Sequence, residues 1–295
     1  MNEQFPETRV IILNYNGAEL LPQCLPSIME AAHETSFTRV TVLDNCSTDD
    51  GLNYVSAHFP DCEIERAVSN RILCSYNDYV LKINEPVVIF LNNDMRVHRD
   101  FIKPLMTHFI EDPLTFLVAP KAMTFDGQTV ESGRSRGRMR FGVFECTAHF
   151  PAYAEETARA SETFSAGFGA FSREKFIQLK GYDDLYFPGI MEDVDLCYRA
   201  QKAGYHLYYE PQSIVYHVGQ VSFKKRFGSF RTATLAHRNN FWFMWKNFSG
   251  LKFWIQHLFF LPLRIAFALL KGNFAFILGF FNALLTKRKP VRSLN

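Results

Sequence analysis

Short runs of apolar, β-branched residues alternate with segments of helical periodicity through the first half of the chain. Residues 9–13 (RVIIL), 38–43 (TRVTVL) and 87–91 (VVIFL) predict buried strands. Residues 19–32 repeat apolar positions at helical spacing and predict a helix. This alternation is typical of parallel α/β architecture.

Polar residues follow each predicted strand directly. NYNG occupies residues 14–17, DNCSTDDG occupies 44–51, and NND occupies 92–94. In open parallel sheets, ligands bind at the carboxyl edge where such residues lie. Asn, Asp and Gly are also ordinary turn formers, but three such turns at equivalent strand ends favour a binding edge.

The second half of the chain is less regular. Between residues 124 and 163, four arginines (134, 136, 138 and 140) alternate with smaller residues, which predicts a solvated edge strand or a phosphate-facing surface. Residues 173–180 and 191–204 then predict helices, and residues 205–209 and 213–216 predict two short strands.

Charge divides the chain in two. Residues 1–210 carry 19 Lys and Arg against all 30 Asp and Glu, whereas residues 211–295 carry 13 Lys and Arg and no carboxylate side chain. We therefore expect an acidic catalytic or binding domain over residues 1–221 and a basic, aromatic-rich helical tail over residues 222–295.

The tail contains two apolar stretches. Pro262 and Arg264 interrupt the first, and the second, residues 274–285, spans roughly 18 Å against a bilayer core of about 30 Å. We predict two amphipathic helices lying in the membrane interface, with a buried helical pair or a dimer contact as the alternatives. The long apolar runs argue against nucleic acid as the partner.

Cysteine usage and the first residues bear on location. The six cysteines are scattered without a C-x-x-C pair, and MNEQFPETRV lacks the features of an export signal. We expect reduced, mostly buried cysteines and a location on the cytoplasmic side of the plasma membrane.

Four side chains are candidates for chemistry. Asp94 follows a predicted strand and could hold a divalent cation through oxygen, and His217 follows another strand and could add a nitrogen ligand. Glu192 and Asp193 open a helix, where capping and the helix dipole would also account for them. A histidine such as His217 can equally be a packed, hydrogen-bonded residue.

The order of these segments resembles the family 2 glycosyltransferases of GT-A fold. The matching segments are NYNG, LDNCSTDDG, FLNNDMRV, AGFGAF, MEDVDLCYRAQKAGY, YEPQSIVYH and RNNFWFMWKN. Within the family the chain is most similar to the rhamnosyltransferase-like branch that builds bacterial surface polysaccharides. The resemblance implies a Rossmann-like mixed α/β sheet flanked by helices.

The resemblance also implies roles for single residues. Asp193 would be the general base with Glu192 beside it, and Asp94 and His217 would bind Mn²⁺ or Mg²⁺ on the donor diphosphate. Asp44 would accept a hydrogen bond from a pyrimidine base. The remaining donor-binding residues would be Asn14, Tyr15, Asn16, Asn70, Arg71, Asn92, Gly167, Phe168 and Gly169.

Three features depart from the family pattern. Asn92 stands where many members carry Asp in the metal motif, and Asn70 is followed by Arg71 and bulky residues where glycines are usual. Arg71 could contact the base or a phosphate. Asp195 competes with Asp193 as a base, although its spacing from Arg199 favours an intrahelical ion pair.

The resemblance therefore implies inverting, metal-dependent transfer of a sugar from a UDP- or dTDP-sugar to a hydroxyl of a glycan or lipid-linked glycan. A nucleotidyltransferase is one alternative. A catalytically degenerate transferase domain, acting as a membrane-bound assembly partner, is another.

Overall fold

The computed structural model describes residues 5–147, 153–219 and 227–286. Within them a ten-stranded mixed sheet runs in the order β10-β12-β6-β11-β4-β1-β2-β3, with β5 paired to β12 and β7 to β6. The strands are β1 (Thr8–Asn14), β2 (Thr38–Asp44), β3 (Glu63–Arg66), β4 (Val87–Asn92), β5 (Met95–Val97), β6 (Thr115–Thr124), β7 (Val130–Ser132), β8 (Arg136–Arg140), β9 (Val143–Thr147), β10 (Ser161–Glu162), β11 (Gly169–Ser172) and β12 (His206–His217). The helices are α1 (Leu21–His33), α2 (Gly51–His58), α3 (Ser75–Tyr79), α4 (Ile102–Glu111), α5 (Tyr153–Glu156), α6 (Arg173–Gln178), α7 (Glu192–Lys202), α8 (Ser229–Asn247), α9 (Leu251–Leu270) and α10 (Phe274–Leu285).

The predicted parallel half is present, with each element within two residues of its expected bounds. β1 lies between β2 and β4, and all three run parallel. Every residue of β1 is buried because helices cover both faces of the sheet. The register sets Asn14 beside Asp44 and Leu13 beside Asn92, so the three polar strand ends meet at one edge.

The second half adds antiparallel pairing. β11 runs antiparallel to both β4 and β6, and β12 runs parallel to β6. The two short strands predicted over residues 205–209 and 213–216 are one strand, β12. A register shift between Glu210 and Ile214 absorbs the Pro-Gln-Ser segment that the sequence analysis treated as a break.

Two apolar clusters lie on opposite faces of the sheet. Val10 and Ile12 of β1 pack with α1, α2 and α4 in one cluster. Ile11 and Leu13 belong to the other cluster, with side chains of α3, α6 and α7. This split follows from the two-residue period of a strand.

The predicted arginine strand is β8, which pairs with β9 in a two-stranded hairpin. Arg136, Arg138 and Arg140 are exposed, as expected for an edge strand, whereas Arg134 precedes the strand and is partly buried. Arg138 forms an ion pair with Glu145 across the hairpin at 3.3 Å.

The C-terminal helices pack against the hairpin and against α7. Phe241 and Phe243 of α8 are buried in a third cluster with Phe144 of β9 and Val194 of α7. The predicted boundary between residues 221 and 222 lies outside the described residues, which end at 219 and resume at 227, and stays a prediction. The packing nevertheless joins α8 to the elements that precede it.

Helix α9 continues through Pro262 and Arg264, which the sequence analysis expected to interrupt it. At 20 residues it is long and apolar enough to cross a membrane by length and composition, and only 17% of its most apolar window is buried. Helix α10 is shorter, at 12 residues. Both predicted tail helices are therefore present, and α8 precedes them.

Candidate active site

Asn14 links the ends of three strands. Its buried side chain donates from Nδ2 to Asp44 Oδ1 at 3.0 Å and accepts at Oδ1 from Asn93 Nδ2 at 2.8 Å. Gly17 leaves the necessary space, because a Cβ there would lie 2.2 Å from Asn14 Oδ1. The predicted convergence of these turns at one edge is therefore present in the structure.

Ser47 completes the surroundings of Asp44. Its Oγ donates to Asp44 Oδ1 at 2.5 Å, and its backbone N–H donates to Asp44 Oδ2 at 3.0 Å. Ser47 Oγ also accepts from the backbone N–H of Asn16 at 2.9 Å. The carboxylate of Asp44 is thus held in one orientation by Ser47, a residue for which the sequence predicted no role. Tyr15 lies at the rim, 40% exposed.

Arg71 is engaged by two carboxylates. Its Nη2 lies 2.6 Å from Asp184 Oδ2, and its Nη1 lies 2.8 Å from Asp78 Oδ2. Burial lowers the pKa of Arg71, but hydrogen bonding and attraction to Asp184 outweigh this and leave the pKa raised. Asn70 accepts at Oδ1 from the backbone N–H of Ile72 at 3.1 Å. Both side chains therefore shape the loop, and a donor contact by either stays a prediction.

Asp94 and His217 meet where β5 pairs with β12. His217 Nε2 lies 3.4 Å from Asp94 Oδ2, and His217 Nδ1 lies 3.0 Å from Glu131 Oε2. The Asp94 side chain is nearly buried, and its Oδ1 has no hydrogen-bond partner in the described part of the chain. Burial lowers the pKa of His217, but the carboxylates of Asp94 and Glu131 outweigh this, so that the pKa is raised.

The side chains of Asp94 and His217 have the ligand chemistry that a divalent cation requires. A buried carboxylate oxygen without a partner beside an imidazole nitrogen is a suitable donor set, with Glu131 orienting the ring from its far side. Among the described residues no group of three or more His, Cys, Asp or Glu could hold a metal by itself. Oxygens of a diphosphate and water would have to complete the coordination, as hard divalent cations commonly accept.

Glu192 and Asp193 begin helix α7, as predicted. Glu192 is buried, and its Oε2 lacks a partner among the described residues. Burial and the neighbouring Asp193 raise the pKa of Glu192 to about 8. Burial also raises the pKa of Asp193, although backbone N–H groups at the helix start oppose it. The partly exposed Asp193 is the better placed of the two to accept a proton from a ligand.

Gly167 brings Asp193 to the same edge of the sheet. A Cβ at Gly167 would lie 3.2 Å from Asp193 Oδ2, so the backbone approaches this carboxylate closely. Gly169 pairs with Phe90 in antiparallel register, which sets residue 167 level with Asn92 at the end of β4. The glycine loop, the base candidate and the metal motif therefore share one edge.

The other two residues of the glycine loop, Phe168 and Gly169, have structural roles. Gly169 has a φ of +131°, and a Cβ there would lie 2.5 Å from the carbonyl oxygen of Val118, so that only glycine fits. Phe168 packs partly buried against the apolar cluster of β1 and β4. Donor contacts by these two residues stay predictions.

Asp195 has a different role. Its fully buried carboxylate lies 2.8 Å from Arg199 Nε and 2.8 Å from Lys246 Nζ, and Tyr186 donates its hydroxyl to it at 2.9 Å. The predicted ion pair with Arg199 is confirmed, and Lys246 of α8 is an addition that the sequence did not predict. With these partners Asp195 is unavailable as a base.

The comparisons agree with this geometry. The chain belongs to glycosyl transferase family 2, because the family model matches residues 9–179, more than half of the 295 residues. Its mixed sheet is the GT-A fold. The resemblance to family 2 glycosyltransferases that the sequence indicated is therefore confirmed, both for the family and for the fold.

Two curated relatives each match most of this chain but only part of their own length. Pre-mycofactocin glycosyltransferase of Mycobacterium tuberculosis (strain ATCC 25618 / H37Rv) is 29% identical over 193 residues, covering 61% of this chain and 37% of its own length. Polypeptide N-acetylgalactosaminyltransferase 6 of Mus musculus is 23% identical over 233 residues, covering 72% and 37%. The chain thus spans little more than a third of the length of these relatives.

Two solved structures are similar in fold. GalNAc-T7 with UDP, GalNAc and Mn²⁺ superposes with a TM-score of 0.61 at 18% identity, covering 80% of this chain and 48% of its own. Mannosyltransferase PcManGT from Pyrobaculum calidifontis, in complex with GDP-Man and Mn²⁺, gives a TM-score of 0.57 at 15% identity, covering 97% and 77%.

Proposed function

We propose that the chain transfers a glycosyl group from a nucleoside diphosphate sugar to an acceptor hydroxyl with the help of a divalent cation. The observation that carries this is the shared edge. Asn14, Asp44, Asp94 and His217 lie at the carboxyl ends of β1, β2, β4 and β12. Asp193, at the start of α7, lies beside Gly167, which precedes antiparallel β11 at the same edge of the sheet. Family membership supports the proposal, as do the nucleotides and Mn²⁺ with which the two similar structures were solved.

Each group has one role in the reaction. Asp193 takes the proton of the acceptor hydroxyl as its oxygen forms a bond to the anomeric carbon. The bond from that carbon to the diphosphate oxygen breaks, and the diphosphate leaves with the electron pair. A bound Mn²⁺ or Mg²⁺, held by Asp94 and His217, would supply charge stabilisation for the diphosphate. Attack opposite the leaving group inverts the anomeric centre.

The donor and acceptor follow from the sequence-based interpretation. Asp44, oriented by Asn14 and Ser47, is suited to accept from the N3–H of a pyrimidine, which favours a UDP- or dTDP-sugar. The acceptor is a glycan or lipid-linked glycan in surface polysaccharide synthesis, with a hexose or a deoxyhexose as the transferred sugar.

We also propose that α9 and α10 bind the cytoplasmic face of the plasma membrane. The face of α9 that turns away from the hairpin exposes Ile255, Leu258, Phe259, Leu263 and Phe267. Residues 211–295 contain no carboxylate side chain, so this apolar surface has basic surroundings that complement anionic headgroups.

The experiment is a panel of UDP-, dTDP- and GDP-sugars with and without Mn²⁺. We expect one donor to raise the melting temperature in the presence of Mn²⁺ and to release its nucleoside diphosphate. Asp193→Asn should retain the thermal shift and lose the release. Release of pyrophosphate from a nucleoside triphosphate would instead indicate a nucleotidyltransferase. Absence of both a thermal shift and nucleotide release with every donor in Mn²⁺ would overturn the proposed activity.

A further inference from the structure

The segment directly before the candidate base has an unfavourable backbone. Gly189, Ile190 and Met191 have φ angles of +137°, +74° and +86°. Positive φ is ordinary for glycine, but for a β-branched residue such as Ile190 it is a genuine outlier. Such a segment persists only where the surrounding structure holds it, and here it leads directly into Glu192 and Asp193.

Asn239 of α8 holds this segment. Its side chain is fully buried, and Nδ2 lies 2.9 Å from the carbonyl oxygen of Tyr186 and 2.8 Å from those of Gly189 and Ile190. One carboxamide nitrogen therefore lies within hydrogen-bond distance of three backbone carbonyl oxygens of the turn. The adjacent Arg238 adds a hydrogen bond from Nη2 to the carbonyl oxygen of Phe187 at 2.9 Å.

A second anchor fixes α8 relative to α7. At the far end of α8, Lys246 Nζ lies 2.7 Å from Asp183 Oδ2 and 2.8 Å from Asp195 Oδ2. Asn247 Nδ2 donates to Asp195 Oδ1 at 2.7 Å. Asn239 is thus presented to the turn by a helix that is itself tied to the base-bearing helix.

We infer that Asn239 is a positioning residue for Asp193. By holding residues 186–190 in their strained path it fixes the first turn of α7, and with it the direction of the Asp193 carboxylate beside Gly167. The inference rests on the proposed function only for its catalytic consequence. The restraint on the turn is a separate, measurable property.

Asn240 provides the matched control. It has the same side chain, is the next residue of α8, and donates from Nδ2 to the carbonyl oxygen of Phe144 at 2.8 Å, on the hairpin and away from the turn. Both Asn239→Ala and Asn240→Ala remove one amide from the same helix. They differ in which backbone segment loses its donor.

The first measurement is hydrogen–deuterium exchange of the full chain. In Asn239→Ala we expect amides of residues 186–193 to exchange at least about 10-fold faster than in wild type, with the rest of the sheet unchanged. Asn240→Ala should leave that segment at the wild-type rate. Equal exchange of residues 186–193 in both variants would overturn the inference, whatever the activity of the protein.

The second measurement is nucleotide release with the donor that the panel identifies. Asn239→Ala should lower kcat by roughly 10- to 100-fold and leave the donor Kd in Mn²⁺ within about threefold, since only the base is displaced. A merely structural role would lower the folded fraction and leave kcat per folded molecule unchanged, as we expect for Asn240→Ala. An Asn239→Ala variant with wild-type kcat would also refute the positioning role, whereas an inactive wild type would count against the proposed function only.

Discussion

His217 Nε2 lies 3.4 Å from Asp94 Oδ2, and a strand pairing brings together two residues that are distant in the chain. Short strand β5 follows Asp94 directly and runs antiparallel to the end of β12, with His217 opposite Met95. The backbone N–H of Val218 donates to the carbonyl oxygen of Asp94 at 3.0 Å and closes the arrangement. The pair is therefore set by the sheet itself, and this rigid placement suits the cation site proposed for it.

Removing the charge of Asp94 should abolish metal dependence. We expect Asp94→Asn to lower Mn²⁺-dependent nucleotide release by at least about 100-fold, because the amide is a poorer ligand and offers no negative charge. A Mn²⁺ titration of release, together with the donor-induced thermal shift, measures the loss. Asp61→Asn alters an exposed carboxylate before β3, at the opposite edge of the sheet, and should behave as wild type. Equal activity of Asp94→Asn and Asp61→Asn would rule out the metal role.

Glu131 should increase the affinity for Mn²⁺ through its contact with His217. Its Oε2 lies 3.0 Å from His217 Nδ1, which is where a carboxylate fixes the tautomer and ring orientation of a ligating histidine. We expect Glu131→Gln to weaken Mn²⁺ binding by roughly 10- to 100-fold while saturating Mn²⁺ restores most of the rate. The half-saturating Mn²⁺ concentration of the two proteins is the measurement. An unchanged concentration would show that Glu131 does not act on the site.

The sequence predicted well which polar residues end the strands. It predicted poorly the contacts between side chains that are distant in the chain. Asn14, Asp44 and Asp94 were found because apolar runs stop at polar residues, which is a local pattern. Glu131 and Asn239 were missed, because each acts through a fold-dependent neighbour rather than through a motif. Glu131 lies in β7, within a region whose sequence pattern is irregular, and Asn239 could be assigned only once α8 was known to pack on the turn before α7.

The single strand β12 and the continuous helix α9 were missed for another reason. Pro211 and Pro262 are breakers in isolation, but a register shift in β12 accommodates Pro211, and α9 continues through Pro262, which is exposed. Tertiary context overrode a local rule in β12, whereas no contact among the described residues explains the continuity of α9 at Pro262. The ion pair of Asp195 with Arg199, by contrast, needs only helical spacing and was predicted.

Glu192 should make the protein less stable as pH rises. Its native pKa of about 8 lies above the roughly 4.3 of an unfolded glutamate, so between these values the native state holds a proton that the unfolded state releases. The contribution of the protonated group is therefore complete below the lower value and is lost as pH rises through about 8. Asp193 is the charged neighbour that adds to this effect.

Glu192→Gln tests this directly. The amide stays neutral at every pH, so we expect its advantage in melting temperature over wild type to grow between pH 5.5 and pH 8.5, in Mn²⁺-free buffer. The exposed Glu30→Gln variant should run parallel to wild type. Parallel curves for Glu192→Gln and wild type would show that Glu192 is not held protonated. At pH 7 the same variant should keep most of its nucleotide release, unlike Asp193→Asn.

Lys246 should be worth more to stability than a surface lysine. Lys246→Met leaves the buried Asp183 and Asp195 without their shared cation, and loss of one partner from a buried pair costs about 3–5 kcal/mol. Urea unfolding measures this, with the exposed Lys252→Met as control.

The stabilisation by Lys246 should depend on pH. Burial acts to raise the pKa of Asp195, but Arg199 and Lys246 bring this pKa below its usual value. Their stabilisation is therefore present at neutral pH and lost in acid. The difference from wild type should therefore shrink as pH falls, and a loss under about 1 kcal/mol at pH 7 would contradict a buried pair.

The exposed face of α9 should bind anionic bilayers. Leu258 is 62% exposed in the middle of that face, and Leu81, 45% exposed in the catalytic body, offers the same substitution away from it. Burying one leucine is worth about 1.5–3 kcal/mol, so Leu258→Glu should lower partitioning to phosphatidylglycerol vesicles by at least about 10-fold, and Leu81→Glu should not. Flotation should also weaken in high salt and with pure phosphatidylcholine, because the basic residues around the apolar face attract anionic headgroups. If Leu258→Glu floats as wild type but changes the molar mass measured by light scattering, the face is a contact between copies of the chain and the membrane proposal is wrong.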